Sequence, residues 1–293
     1  MVNTRILEQR LGWRSAEPGD EPTPPTRPIG HTPVLQGRID SARPATRQGP
    51  RRLAIEDAWD ALSRVDHEAD RLVDQAGRVP SISRSSVTGR AMDQLRAQLM
   101  RVIRQNDWRR IGVTSPARGA GRSFVSVALA ASLARLDGVR VLLIDGDLEE
   151  PALAGILGVE APGPLEEALT GARPAASQIV RVGNTLAVAL NDTAVAFAAE
   201  LLLAPDSILA LRGMGDLLAP EVTIIDMPPL LGDSAAQAML PQLDAVLLIS
   251  DGKSSTAHDI VECERMLEDQ VPIVGVILNK SEDRDPRPRA RRR

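Results

Sequence analysis

The sequence of 293 residues has no tyrosine, one cysteine, two phenylalanines and, among 35 basic side chains, only two lysines, Lys253 and Lys280. The single cysteine, Cys263, excludes an internal disulfide framework, and no Cys/His cluster has the spacing of a structural zinc site. No apolar run reaches the roughly 18 residues that predict a membrane-spanning helix. The first residues lead into no apolar stretch of a signal peptide. We therefore expect a cytoplasmic protein.

Charge is distributed unevenly along the chain. Residues 1–110 carry 19 basic and 14 acidic side chains, whereas residues 111–280 carry 10 and 22. The acidic middle argues against binding to the phosphates of nucleic acid, so we expect no nucleic-acid partner. The arginine-rich residues 281–293 are suited to an anionic surface and are a candidate for peripheral contact with the inner face of the plasma membrane.

Composition divides the chain into four regions. Residues 1–52 are rich in proline and arginine and have little to bury, so we expect disorder there. Residues 53–109 predict a helical extension, and residues 110–280 predict a globular domain. Residues 281–293 predict a second disordered segment, which ends in three arginines.

The extension contains two amphipathic patterns. Apolar residues recur at steps of three or four from Ile55 to Ala76 and again from Met92 to Ile103, which predicts two helices, the second ending near Asp107. Two roles remain open for these helices: they pack on the domain that follows, or they mediate contacts with a partner or a second copy.

The globular domain alternates short β-branched runs with helical stretches of about 10–15 residues, which is typical of buried parallel strands in βαβ units. We therefore predict an α/β fold with a doubly wound, mostly parallel sheet, whose ligands bind at the carboxyl ends of the strands. The predicted strands are 111–114, 139–144, 185–190, 222–225, 245–250 and 273–278.

A glycine-bearing loop follows the first of these strands and precedes an alanine-rich helix. Strand, loop and helix in this order predict a phosphate-binding loop, because loop amides and the helix N-terminus together attract an anion. The hydroxyl of Ser123 is placed to hold Mg²⁺. The residues expected to bind a nucleotide here are Ser115, Gly119, Ala120, Gly121, Arg122, Ser123 and Phe124.

Carboxylates follow two later strands. Asp145 and Asp147 come directly after an apolar run, and Asp226 ends a third strand. Mg²⁺ binds phosphate oxygens with few protein ligands and several waters. The sequence therefore predicts a magnesium site formed by Ser123, Asp226 and either Asp145 or Asp147, with Asp145 as the chosen candidate.

These motifs, in this order, resemble the deviant-Walker P-loop ATPases, a group that includes the partition and Min-type ATPases. Within it they are most similar to the bacterial tyrosine kinases of capsule and exopolysaccharide synthesis. The family's Ser-Pro-x-Pro-Gly-Glu-Gly-Lys-Ser/Thr loop is matched by 115–123, and its Ile-Asp-x-Asp-x-Arg-x-Pro motif by 144–151. Its Ile-Asp-x-Pro-Pro and Gly-Val-x-Leu-Asn motifs are matched by 225–229 and 275–279.

The resemblance implies a P-loop ATPase or kinase-like domain over 110–280 that binds ATP and Mg²⁺, with Asn279 near the adenine. It implies that Asp145 or Asp147 activates the attacking hydroxyl or water, and that Arg122 stands where the catalytic loop lysine would be. It also implies a partner in trans, a membrane polysaccharide copolymerase that determines chain length, and a homo-oligomer.

Several departures from the family bear on activity. Arg122 replaces the loop lysine, and arginine is a bulky planar fork where lysine is a compact charge. Ala120 and Glu149 stand where the family has Glu and Arg, and the charge of Glu149 opposes a triphosphate unless Mg²⁺ or Arg118 neutralises it. A chain without tyrosine cannot phosphorylate itself on tyrosine. We therefore leave open an active ATPase or kinase and a pseudokinase.

The charged helix before the domain bears on assembly. Relatives use a Glu-x-x-Arg-x-x-Arg helix in ring assembly, and Arg90, Asp93 and Arg96 stand in that register here. They are either a charge-swapped contact with a partner or ordinary pairs on an exposed helix. A partition or Min-type positioning ATPase that dimerises on ATP is the second candidate function, but its signature lysine would fall at Ala117. A purely structural scaffold is the third.

Overall fold

The computed structural model describes residues 49–65 and 83–281. The strands of this part of the chain are β1 (Ser63–Val65), β2 (Arg110–Thr114), β3 (Val141–Asp145), β4 (Ile179–Val182), β5 (Leu186–Ala189), β6 (Val222–Asp226), β7 (Ala245–Asp251) and β8 (Ile273–Asn279). Its α-helices are α1 (Gly49–Asp60), α2 (Val87–Asn106), α3 (Arg122–Ala134), α4 (Leu153–Leu157), α5 (Leu165–Leu169), α6 (Ala198–Leu203), α7 (Pro205–Leu218), α8 (Ser234–Met239) and α9 (Ala257–Leu267).

The eight strands form one sheet in the order β1-β4-β5-β3-β6-β2-β7-β8. Neighbouring strands are parallel except β4 and β5, which are antiparallel. The six predicted strands lie within two residues of observed ones. The predicted α/β class with a doubly wound, mostly parallel sheet is confirmed.

Helices cover both faces of the sheet because alternate residues of each strand point to opposite sides. Val141 and Leu143 of β3 pack into the core shared with α2 and α3. Leu142 and Ile144 pack into the core shared with α1 and α7. Both faces of the central strands are therefore buried, which explains their continuous apolar sequence. Among the helices of the described residues, none has the length and apolarity that a bilayer span requires.

The first predicted helix is wrong at residues 61–65. The apolar spacing from Ile55 to Ala76 predicts one helix, but α1 ends at Asp60 and Ser63–Val65 form β1, which pairs with β4. Trp59, Leu62 and Val65 are spaced by three residues. This spacing fits a continuing helix and equally fits a helix end followed by a short strand, so the pattern does not reveal the change from helix to strand. Residues 66–76 lie outside the described residues.

The second predicted helix is confirmed as α2. The Ser86 hydroxyl accepts a hydrogen bond from the Gly89 amide (2.9 Å), and the helix ends at Asp107 in a left-handed conformation. Its apolar face is buried against α3, and so α2 packs on the domain that follows it. The buried residues are Gly89, Met92, Leu95, Leu99, Met100 and Ile103.

Candidate functional site

Three adjacent parallel strands bring the predicted motifs together. β2 lies between β6 and β7, and β6 lies between β2 and β3. Asp145 at the end of β3 is directly in register with Asp226 at the end of β6. The glycine loop leaves the end of β2 at the same edge, so loop and carboxylates meet at the carboxyl ends of the central strands, where this fold binds ligands.

The loop is held by bonds from its own backbone and from the segment after β6. The Ser115 carbonyl accepts from the Leu230 amide (2.8 Å), and the Thr114 hydroxyl donates to the Pro228 carbonyl (2.7 Å). Gly121 has φ +91° and caps α3, a backbone conformation that favours glycine. The loop therefore has a defined conformation that presents the first amides of α3, the arrangement that binds phosphate.

The end of β8 clamps the loop from the other side. The Asn279 side-chain amide donates to the Ala120 carbonyl (2.9 Å), and the Lys280 ammonium donates to the Gly119 carbonyl. A Cβ on Gly121 would collide with the Asn279 amide. Lys280 also pairs with Asp251 at 3.2 Å. Asn279, the predicted contact to the nucleotide base, is therefore joined directly to the predicted phosphate-binding loop by a hydrogen bond.

Asp145 and Asp226 are fully buried. Asp145 accepts from the Leu153 amide (3.2 Å), and Asp226 accepts from the Ser126 hydroxyl (3.0 Å). One oxygen of each carboxylate has no hydrogen-bond partner among the described residues. Ser126, one turn after Ser123 on α3, was not among the sequence-predicted site residues. Its position on the same helix face is the signal that could have found it.

Burial and mutual repulsion perturb these carboxylates. Burial, followed by the charges of Asp226 and Asp147, raises the pKa of Asp145 well above its usual value. Burial raises the pKa of Asp226 to about 6, against the opposing effects of Ser123, Arg122 and Ser126. Two buried carboxyl groups with unpartnered oxygens suit a bound cation.

Mg²⁺ fits this donor set when phosphate and water complete its coordination. Among the described residues no group of three or more His, Cys, Asp or Glu side chains could hold a metal ion by itself. Ser123, Asp145 and Asp226 supply few protein oxygens, which is how Mg²⁺ is bound beside phosphates. The site thus suits a metal that arrives with a nucleotide.

Arg122 occupies the position of the loop lysine, but its side chain turns into the protein. Its guanidinium donates to the Met227 carbonyl (2.8 Å) and pairs with Asp147 (3.1 Å). Burial raises the pKa of Asp147, although the positive charges of Arg122 and Arg118 act in the opposite direction. Arg122 is therefore engaged with protein groups, its guanidinium being held by the segments that follow β6 and β3.

Arg118 lies at the rim of the site. Its guanidinium pairs with Asp147 (3.1 Å), Glu149 (3.4 Å), Glu150 (2.9 Å) and Asp233 (3.4 Å). The sequence suggests Arg118 as a neutraliser of Glu149, and the structure places the two in contact. Asp233 follows no strand directly and was not singled out as a site residue.

The residues in register with the ring-assembly helix have partners within the chain. Asp93 accepts from the Ser132 hydroxyl (2.7 Å) and pairs with Arg135 (2.7 Å) on the α3 side. Arg96 donates to the Ser132 carbonyl (2.8 Å), and Arg90 donates to the Ser85 carbonyl (2.6 Å). Asp93 and Arg96 thus join α2 to α3.

Residues 108–290, more than half of the chain, match the model of the ParA family, described as the NUBPL iron-transfer P-loop NTPase. The chain is 29% identical over 197 residues to a protein of Ralstonia solanacearum named as a putative tyrosine-protein kinase, EpsB, covering 64% of this chain and 25% of that protein. It is 29% identical over 166 residues to the iron-sulfur cluster carrier protein of Deinococcus radiodurans, covering 56% of this chain and 46% of that protein.

Among solved structures, the kinase domain of the Escherichia coli tyrosine kinase ETK matches with a TM-score of 0.59 and 26% identity, covering 65% of this chain and 74% of that one. The predicted resemblance to bacterial tyrosine kinases is confirmed by these similarities. The chain spans about a quarter of the length of the curated kinase relatives that it matches.

Proposed function

Because the chain belongs to the ParA family of P-loop NTPases, we propose that it binds MgATP and, like the bacterial tyrosine kinases it resembles, regulates the polymerisation or export of an exopolysaccharide or capsule. One observation carries the nucleotide part of this proposal. The glycine loop and the buried Asp145 and Asp226 meet at one edge of the sheet, and each carboxylate has one oxygen without a partner among the described residues. The similarity to putative tyrosine-protein kinases supports the kinase-like part, and the polysaccharide part rests on the resemblance of the motifs.

In this proposal the loop backbone surrounds the phosphates; it runs from Ser115 to Phe124 and includes Gly119, Ala120, Gly121 and Arg122. Asn279 lies near the adenine base of the nucleotide. Ser123, Asp145 and Asp226 hold Mg²⁺, which neutralises phosphate charge when it is bound. Asp147 is fixed beside the loop by two guanidinium groups. We assign Asp147 the role of accepting the proton of an attacking hydroxyl or water, with Asp145 at the metal.

Turnover should be slow. The Arg122 guanidinium is bonded to Met227 and Asp147, so the positive charge that a loop lysine would supply to the phosphates is directed elsewhere. The sequence lacks the tyrosine that self-phosphorylation requires. A pseudokinase that uses nucleotide as an assembly signal is therefore part of the proposal.

The partners and location are proposals of the same kind. We propose a membrane polysaccharide copolymerase in trans, a homo-oligomer, and a cytoplasmic position at the inner face of the membrane. The arginines of 281–293 would contact anionic lipid there.

A partition or Min-type ATPase that dimerises on ATP is the second candidate function, and membership of the ParA family is compatible with it. Ala117 stands where its signature lysine would be. Iron-sulfur carriage is less well supported by this chain's own residues, because clusters take several thiolates. The one cysteine, Cys263, is buried, and burial raises the pKa of its thiol to about 12.

Calorimetric titration with MgATP, combined with a hydrolysis assay, tests the nucleotide proposal. We expect binding by the wild type, slow turnover, and loss of turnover in Asp226→Ala, while Asp137→Ala on the exposed surface behaves as wild type. Absence of binding at millimolar MgATP would overturn the proposal. ATP-dependent dimerisation without any effect of gene deletion on polysaccharide length would favour the partition or Min-type function.

A further inference from the structure

Arg118 joins parts of the chain that are distant in sequence. Asp147, Glu149 and Glu150 follow β3, whereas Asp233 is the N-terminal cap of α8, and the Arg118 guanidinium lies within 3.4 Å of an oxygen of each. We call Arg118 and these four carboxylates the Arg118 cluster. It connects the phosphate loop to the segment after β3 and to the start of α8.

In the Arg118 cluster the acidic side chains outnumber the basic one. Four carboxylates share the guanidinium of Arg118, and the second guanidinium nearby, Arg122, is bonded to Asp147 and to the Met227 carbonyl. The neighbouring loop amides are arranged to attract an anion. A phosphate entering the loop would therefore compete with the carboxylates for a cation, and Arg118 is the more accessible cation, with 33% of its side chain exposed against 7% for Arg122.

Sheet order places Arg118 at the phosphate end of the site. The loop follows β2, and Asn279, the proposed base contact, ends β8 on one side of β2. The carboxylates of the Arg118 cluster follow β3 and β6, which lie on the other side of β2. The outer phosphates of a nucleotide whose base lies toward β8 therefore point toward Arg118.

We infer that Arg118 binds the outermost phosphate of the nucleotide and exchanges Glu149, Glu150 and Asp233 for it. The inference rests on the proposed nucleotide binding. Glu149 is 43% and Glu150 is 64% exposed, and ion pairs of such exposed groups contribute little, so a phosphate displaces them readily. Asp233 is 11% exposed, but its contact with Arg118 is long, at 3.4 Å, and its other oxygen keeps the cap of α8. Asp147 is buried and also bonded to Arg122, so it keeps its place.

The exchange distinguishes a triphosphate from a diphosphate and transmits the difference to α8. One oxygen of Asp233 caps α8 by accepting from the Ala235 amide (2.9 Å), while the other pairs with Arg118. Release of the three exchanged carboxylates from Arg118 frees the segment before α8 and residues 149–150, while Asp147 stays bonded. A protein with slow turnover thereby acquires a signal of nucleotide state.

Titration calorimetry with MgATP and with MgADP on the intact chain tests this inference. We expect Arg118→Gln to weaken MgATP binding by about tenfold or more, equivalent to about 1.4 kcal/mol, and to weaken MgADP binding much less. Glu150→Gln should strengthen MgATP binding, because it removes a competitor. Arg265→Gln is the control, since it removes an exposed arginine paired with Glu262 on α9.

Hydrogen exchange supplies the second readout. In the wild type, MgATP but not MgADP should change amide protection at 147–153 and 233–239, and Arg118→Gln should abolish the difference. Equal effects of Arg118→Gln on both nucleotides, or none, would overturn the inference while leaving nucleotide binding intact. A wild type that binds neither nucleotide overturns the proposed function together with the inference. If Arg118→Gln unfolds, Arg118→Lys retains the charge, loses the planar fork and is expected to show a smaller loss in MgATP affinity alone.

Discussion

Buried Asp226 destabilises the folded protein to an extent that depends on pH. Burial raises its pKa to about 6 from an ordinary 3.8, although Ser123, Arg122 and Ser126 act in the opposite direction. Between these values the folded protein holds a proton that the unfolded chain has released. Stability is therefore highest below about pH 4 with respect to this group, and it falls as pH rises toward 6.

We predict that Asp226→Asn stabilises the metal-free protein at pH 7 by about 2–3 kcal/mol, from about 1.4 kcal/mol per pKa unit. The gain should shrink toward zero near pH 4. Urea unfolding in a chelator between pH 4 and 7.5 measures it, with Asp137→Asn as an exposed control. If the free energy of unfolding depended on pH identically in the wild type and in Asp226→Asn, the raised pKa of Asp226 would be contradicted.

The Arg122 side chain stabilises the fold at the expense of the rate of MgATP hydrolysis. Arg122 bonds the Met227 carbonyl and Asp147 through two separate nitrogens of its planar fork, which lysine lacks, so we predict that Arg122→Lys lowers the free energy of unfolding by about 1–2 kcal/mol. It should at the same time raise the rate of MgATP hydrolysis, because a compact charge is free to reach the phosphates.

Arg135→Lys is the matched control for Arg122→Lys, since Arg135 is equally buried and pairs with Asp93 away from the loop. It should lose stability without any gain in turnover. Thermal unfolding and steady-state hydrolysis on both variants separate the two effects. A wild-type rate in Arg122→Lys would show that the orientation of Arg122 does not limit turnover.

At the scale of elements, Asp93 supplies polar contacts between α2 and the α3 side. Burial raises the pKa of its carboxyl, but hydrogen bonds from Ser132 and Arg135 outweigh this, and the pKa lies below its usual value. A lowered carboxyl pKa means that the stabilisation is present at neutral pH and is lost as pH falls through the folded-state value. The hydrogen bonds and ion pair of ionised Asp93 thus stabilise the folded chain at neutral pH.

We predict that Asp93→Ala destabilises the protein by about 1–2 kcal/mol at pH 7 and by less in acid. Arg90→Ala, which removes an exposed side chain of the same helix, should change stability by less than about 0.5 kcal/mol. Urea unfolding and light scattering measure stability and oligomeric state together. A changed oligomeric state with unchanged stability in Asp93→Ala would instead favour a contact with a partner.

The elements differ in how far sequence reveals them. The central strands are apolar throughout because both faces are buried, and so their positions and the convergence of Asp145 and Asp226 could be predicted. β1 and β4 could not, because Ser63–Val65 continues a helical spacing and Ile179–Val182 lies in a loop-rich stretch. Side-chain direction was also hidden. Arg122 and Arg118 are neighbours in one motif, yet the first turns inward and the second lies at the rim.

At the scale of the whole molecule, the segment 49–65 belongs to the folded unit. β1 extends the sheet beside β4, and α1 packs on the same face as α7. Trp59 of α1 is 1% exposed, its indole donates to the Leu218 carbonyl (2.8 Å), and Arg140 lies 4.9 Å from its ring centre. One side chain thus connects α1 to α7 and to the strand that begins after Arg140.

We predict that Trp59→Ala lowers the free energy of unfolding of the whole domain by about 3–5 kcal/mol, because it leaves a large cavity and an unpaired carbonyl. Leu53→Ala, on the same helix but 65% exposed, should cost less than about 0.5 kcal/mol. Urea unfolding followed by circular dichroism should show one cooperative transition that shifts as a unit in Trp59→Ala. If α1 and β1 were an appendage, that variant would instead show an unchanged main transition preceded by a small early one, since only the segment 49–65 would detach.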